Sequence, residues 1–170
     1  MANDINEVKQ ILQVGHRPSF FRISVDKTWD GNRLMELSAK NVTIPSLMAN
    51  VIEVNHMLEK FMLAGNLDYG GNDLVCIFRL AENCQILKDL WTWHYAAIQP
   101  DTGTVGLANV YKATSIVALL NPNNKNDSMK FKFKGFWPYT IDAIDLDRDT
   151  QDTITEFSVT FKFDKFGQLA

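Results

Sequence analysis

The sequence is poor in most of the residues that chemistry needs. Cys76 and Cys84 are its only cysteines, and no Cys or His stands near them at a metal-binding spacing. A zinc site is therefore excluded, and both thiols are expected to be reduced and structural. Cys76 lies in a strongly apolar stretch and Cys84 near the start of a predicted helix. The three histidines, His16, His56 and His94, are scattered. The sequence holds no G-x-S-x-G, no H-E-x-x-H and no phosphate-cradling glycine loop. These gaps argue against an enzyme, and no cofactor or metal is expected. No apolar run approaches the roughly 18 residues of a membrane span. The first 15 residues carry Asp4 and Glu7 and lack a long apolar core, so no signal peptide is expected and the chain reads as cytoplasmic and soluble. Excess positive charge is missing too. The net charge of −3 leaves no whole-chain footprint for gripping nucleic acid.

What is present suits one domain of residues 1–170 with a sizeable core. The 11 Phe, 4 Trp and 4 Tyr are enough to fill a core and an interface as well. Residues 4–14 are predicted to form a short amphipathic helix, within an N-terminal helix or arm over 1–15. "FRISVD" alternates apolar and polar residues, as a half-buried strand does. "DGN" at 30–32 signals a turn, and "RLMELSAK" at 33–40 reads as the returning strand of a hairpin. Residues 41–57 read as a long excursion with strand character returning near Val51–Val54. Its apolar Leu47, Met48 and Val51 sit where turn chemistry is weak, which suits burial against a partner. They are the candidate oligomer-interface residues.

Strands are predicted over 58–65, 72–82, 110–120 and 153–164, with a polar turn at 121–127. In 72–82 both faces are apolar, which suggests a central strand covered on both sides. Between them the period changes. Ile86, Leu87, Leu90, Trp91, His94 and Ala97 recur at helical spacing, with Asn83 as N-cap and Pro100 beyond the end. The Trp91 stripe is expected to pack on a sheet. The fold class is therefore mainly β with one main α-helix, a β-barrel or sandwich flanked by that helix.

"MKFKFKGFWPYTIDAIDLDRDTQD", residues 129–152, contains two apparent sites. Asp145, Asp147, Asp149 and Glu156 have the spacing of a calcium loop, but Thr150 stands where the sharp turn wants Gly and the flanks are strand-like. Alternation gives a simpler account, with the aspartates on a wet face. "KFKFK" resembles a nucleic-acid platform, yet a strand puts Lys130, Lys132 and Lys134 on one face and Met129, Phe131 and Phe133 on the other. The aromatics are then buried and cannot stack on bases. A solvated or interfacial basic face is expected. Gly135, Trp137 and Pro138 are expected to form a structural turn between strands, with Trp137 packed there and Pro138 fixing the backbone.

The same region carries a family resemblance. From Phe131 to Phe166 the chain is similar to the closing segment of contractile-tail phage tail tube proteins. It has an alternating strand, then Lys134-Gly135-Phe136-Trp137-Pro138, then Ile144-Asp145-Leu146-Asp147, an acidic turn and Glu156-Phe157-Ser158-Val159. "RPSFFRISV" resembles the family's first strand, and the single helix and the length agree. The resemblance implies a tail-tube-type sandwich whose copies form hexameric rings, stacked as a hollow tube within a contractile sheath. It implies a virion location after assembly in the host cytoplasm, without stable membrane association. Implied partners are the chain itself, the tail sheath protein, baseplate and tail terminator proteins, and tape measure protein and DNA in the lumen. A type VI secretion or bacteriocin tube and a calcium-binding β-domain are the alternatives. A net acidic chain suits a conduit, because a lumen that bound phosphates would stall DNA.

Overall fold

The computed structural model describes residues 18–26, 31–121, 126–146 and 153–169. The proposed N-terminal helix and the 147–152 part of the acidic turn lie outside them. Nine strands and three helices are described: β1 (Phe21–Asp26), α1 (Gly31–Ser38), β2 (Ala39–Thr43), β3 (Met48–His56), β4 (Glu59–Asp68), β5 (Asp73–Arg79), α2 (Gln85–Ala97), α3 (Ala108–Tyr111), β6 (Ala113–Leu120), β7 (Asp127–Ile141), β8 (Glu156–Lys162) and β9 (Lys165–Leu169).

The 15-residue strand β7 organises the molecule. Its first half lies between β6 and β9, giving a sheet ordered β1-β6-β7-β9. Its second half pairs with β8, giving a second sheet ordered β7-β8-β5-β2. The mainly β fold is as expected, but the sheets do not close into a barrel. Among the described residues, β1, β2 and β9 each end a sheet with an unpaired outer edge.

Gly135 marks the corner between the sheets. The expected turn at Gly135, Trp137 and Pro138 is not there, because β7 continues through these residues without reversing. Turn-forming residues serve instead as a bend at which one strand changes partners, the usual way a strand passes between sheets. Gly135 takes φ 67°, and a Cβ there would run into the Asp164 carboxylate opposite. Pro138 fits because a residue's N–H and C=O point to the same side of a strand. Its carbonyl is turned toward His94 on α2, whose Nδ1 donates to it at 3.1 Å. The missing N–H therefore faces the helix and costs β8 no ladder bond. Trp137 is half-buried against Tyr111, with ring centroids 5.3 Å apart.

The alternating residues of both sheets meet in an aromatic core. Phe136 stacks on Phe161 at 4.5 Å and Phe133 on Phe166 at 5.2 Å, with Phe78, Phe157 and Phe163 around them. β5 buries Leu74, Cys76 and Phe78, while Val75 and Ile77 on its other face are only half-buried. Helix α2 packs onto this core through Ile86, Leu90, Trp93 and Ala97. Trp91, the expected anchor, lies one residue beyond the buried Leu90, about 100° round the helix from it, and is 48% exposed, whereas Trp93 is 2% exposed. Trp93 also donates its indole N–H to the Tyr111 carbonyl at 2.6 Å. Cys84 occupies the cap position with φ 52°, and Asn83 caps from one residue earlier by accepting the Gln85 N–H at 3.2 Å.

The predicted hairpin between β1 and 33–40 is also corrected. Residues 31–38 form α1, with Met35 fully buried, and β1 pairs with β6 instead. "RLMELSAK" contains no β-branched or aromatic residue and is rich in strong helix formers, so local propensity favours the helix.

Candidate functional site

Within residues 41–57, β3 spans Met48–His56 and so includes the strand expected near Val51–Val54. Beyond β2 these residues enter a hairpin of β3 and β4 that pair only with each other. At roughly 3.3 Å per residue it extends about 30 Å. Both strands are exposed along almost their whole length. Its cross-strand pairs define two faces. Ile52↔Leu63 and Val54↔Phe61 make an apolar stretch on one face, which ends in His56↔Glu59 beside the turn. Val51↔Ala64 and Glu53↔Met62 lie on the other, where Glu53 and Lys60 form an ion pair at 2.7 Å. The turn is a bare Met57-Leu58, both essentially fully exposed, with Met57 at φ 53°. That left-handed backbone normally belongs to Gly or Asn.

A two-stranded ribbon is marginal in water by itself. One with apolar residues on both faces and at its tip is a surface for association. Of the candidate interface residues, Leu47 and Met48 enter the hairpin at its base. Val51 sits further along, on the opposite face of β3 from Met48. All three are exposed. The sequence signal for β3 was weak because apolar residues on both faces erase the period-two pattern. Phe61, Met62 and Leu63, equally exposed, were missed as interface residues for that reason.

Two charge clusters tie the strands. The Asp127 carboxylate accepts from Arg22 on β1 at 2.7 Å and pairs with Lys130 at 2.9 Å. Glu156 on β8 holds Lys40 on β2 at 2.6 Å and meets Arg79 on β5 at 3.6 Å. Glu156, the last position of the supposed calcium loop, is thus engaged by cations. Asp145 is exposed, Asp147 and Asp149 lie outside the described residues, and no cluster of metal-ligating side chains occurs among the described residues. The Lys130 hydrogen bond holds Asp127 below the usual carboxylate range, and the Lys40 hydrogen bond does the same for Glu156. A depressed carboxylate stabilises the fold above its unfolded pKa, and that contribution is lost as pH falls through the lower folded value. The melting temperature should therefore hold from neutrality to about pH 5 and fall below about pH 4. Asp127→Asn, followed by circular dichroism, should make that decline shallower. Burial pushes the Cys76 thiol far up, out of reach of ordinary thiol chemistry.

A sandwich with open sheet edges and a ribbon exposed on both faces, rich in apolar side chains, has the means to join other copies. The phage tail tube protein family profile matches residues 8–168, and the chain belongs to that family. It is 23% identical over 163 residues to the tail tube protein gp19 of Enterobacteria phage T4, covering 94% of this chain and 97% of that protein. Its fold is similar to the sheath-tube complex of the extracellular contractile injection system PVC, at TM-score 0.65 and 15% identity over 99% of both chains. The tube-terminating cap of the anti-feeding prophage is also similar, at TM-score 0.70 and 11% identity over 93% of each chain.

Proposed function

We propose that this chain closes into six-membered rings that stack as the inner tube of a contractile phage tail. Family membership supplies the tube. The observation that carries the stacking is the hairpin, the one described element with apolar side chains on both faces and no partner strand beyond its own pair. In this reading the base and shaft of the hairpin, including Leu47, Met48 and Val51, dock on an adjacent ring. The unpaired outer edges of β1 and β9 provide the head-to-tail contact that closes each ring. The role is structural rather than catalytic. The sheath lies outside, baseplate and terminator proteins meet the two ends, and tape measure protein and DNA occupy the bore. A tube of a secretion or bacteriocin device shares the fold. The match to the phage family and to the T4 protein supports the tail of a virion.

Negative-stain electron microscopy of the purified protein, alone and with a baseplate or tape-measure primer, tests this reading. Hollow tubes with six-fold end views are expected. A protein that stays monomeric at high concentration with either primer overturns it.

A further inference from the structure

Among the described residues, the core is left open at one end of the gap between the outermost strands of the two sheets. β1 ends the first sheet and β2 the second. Where β1 ends and β2 begins, α1 lies between them in the chain. It packs against β1, β5 and α2 and buries Met35 completely. At the other end, where β1 begins and β2 finishes, there is a groove of about 270 Å³. Pro18, Phe21, Val42, Ile44, Val117 and Leu119 line it, with Asn41 the one polar lining residue. Its walls belong to core-facing rows. Phe21 stands opposite Leu119, on the same face as the buried pair Ile23 and Val117, and Val42 stands opposite the buried Cys76. Phe21, Leu119, Val42 and Ile44 are nonetheless only half-buried. A core row left partly wet gains from any apolar side chain laid on it.

Two stretches outside the described residues adjoin this end of the molecule. Residues 122–125 follow β6, but Pro122-Asn123-Asn124-Lys125 offers only a proline among polar residues. Residues 1–17 run directly into Pro18 on the rim of the groove. Within them, Ile5, Val8, Ile11 and Leu12 would fall inside about 120° of one helical face, with Asn6, Gln10 and Gln13 on the opposite side. A helix of about 11 residues is marginal alone in water, so it needs a surface for its apolar face. Gly15, His16 and Arg17 link that face to Pro18. The link spans at most about 14 Å, which keeps the segment beside the groove of its own subunit.

We propose that residues 4–14 seat their apolar face in this groove of their own subunit and complete the core between β1 and β2. Ile44 is four residues from the start of β3 at Met48, so the seated segment also braces the root of the hairpin. The inference concerns a single subunit and does not depend on the ring.

The test is disulfide trapping in the full chain with Cys84→Ser, since Cys76 is buried and unreactive. Val8→Cys and Leu12→Cys are each combined with Ile44→Cys and oxidised with copper phenanthroline at low protein concentration. At least one pair should close within a single chain, giving a monomer of altered mobility on a non-reducing gel. Gln10→Cys with Ile44→Cys, from the opposite face, should link at least about tenfold more slowly. Disulfide-linked dimers would put the segment in a neighbouring copy's groove and overturn the proposal. Linking by no pair, or equally by all three, would show that no face is seated and overturns it too. Melting gives a second readout that needs no cysteine. Leu12→Asp should lower the melting temperature by at least about 4 °C and Gln10→Asp by no more than about 1 °C. Should the cysteine variants not fold, that contrast decides, and equal melting of the two aspartate variants overturns the proposal.

Discussion

Replacing Ile52 and Phe61 together by aspartate should abolish tube formation and leave the subunit folded. The two side chains lie on the apolar stretch of the β3–β4 hairpin, where Ile52 pairs with Leu63 and Phe61 with Val54. Neither belongs to the core, and both are about half exposed. Surface substitutions of this kind usually change stability by no more than about 0.5 kcal/mol. Docked against another ring, the same positions would bury a charge without a partner, and the penalty would recur at every subunit. The expected result is a melting curve within a degree or two of wild type, with only monomers or isolated rings in electron micrographs. A variant that forms full-length tubes would show that the hairpin does not carry stacking. A variant that loses its melting transition would show that the hairpin supports its own subunit instead.

The second large effect concerns the helix. Trp93→Ala should cost about 3–5 kcal/mol, the range for removing a fully buried tryptophan. Its ring lies 6.1 Å from both Phe136 and Phe161, so it joins the helix to that stacked pair of the aromatic core. Its loss also leaves the Tyr111 carbonyl without the indole N–H. Trp91→Ala, two residues earlier, should change stability little, because that ring reaches out to Tyr95 at 6.2 Å rather than into the core. Urea denaturation of the two variants gives a direct contrast. Equal destabilisation would contradict the assignment of the buried face.

Much of the sandwich was readable where a strand has one wet face. β1 and β8 alternate cleanly, and burial follows the alternation. The existence of α2 was equally plain from its three-to-four spacing. Its buried face was not, because Trp91 and Trp93 both lie near the apolar stripe and only the packing partner separates them. Partner choice was invisible in general. Nothing in "FRISVD" shows that β1 pairs with β6, nearly one hundred residues away, and a local turn signal suggested a nearer partner. Gly135 to Pro138 misled for a related reason, since the residues that permit a turn also permit a bend between sheets. The lysines of β7 were correctly placed on one face. Their company there, Lys165 opposite and Gly167 open beside it, depends on the last strand folding back beside β7, which periodicity cannot reveal.

The central claim is that a sandwich with open edges becomes a tube through its edges and its ribbon. Cryo-electron microscopy of tubes grown from the purified protein tests it most directly. The account predicts six subunits per ring, β1 of one copy beside β9 of the next, and each β3–β4 hairpin seated on a neighbouring ring with Ile52, Val54, Phe61 and Leu63 out of water. A reconstruction in which the hairpins remain in solvent, or in which neighbouring subunits meet through α2 with β1 and β9 unpaired, would contradict it.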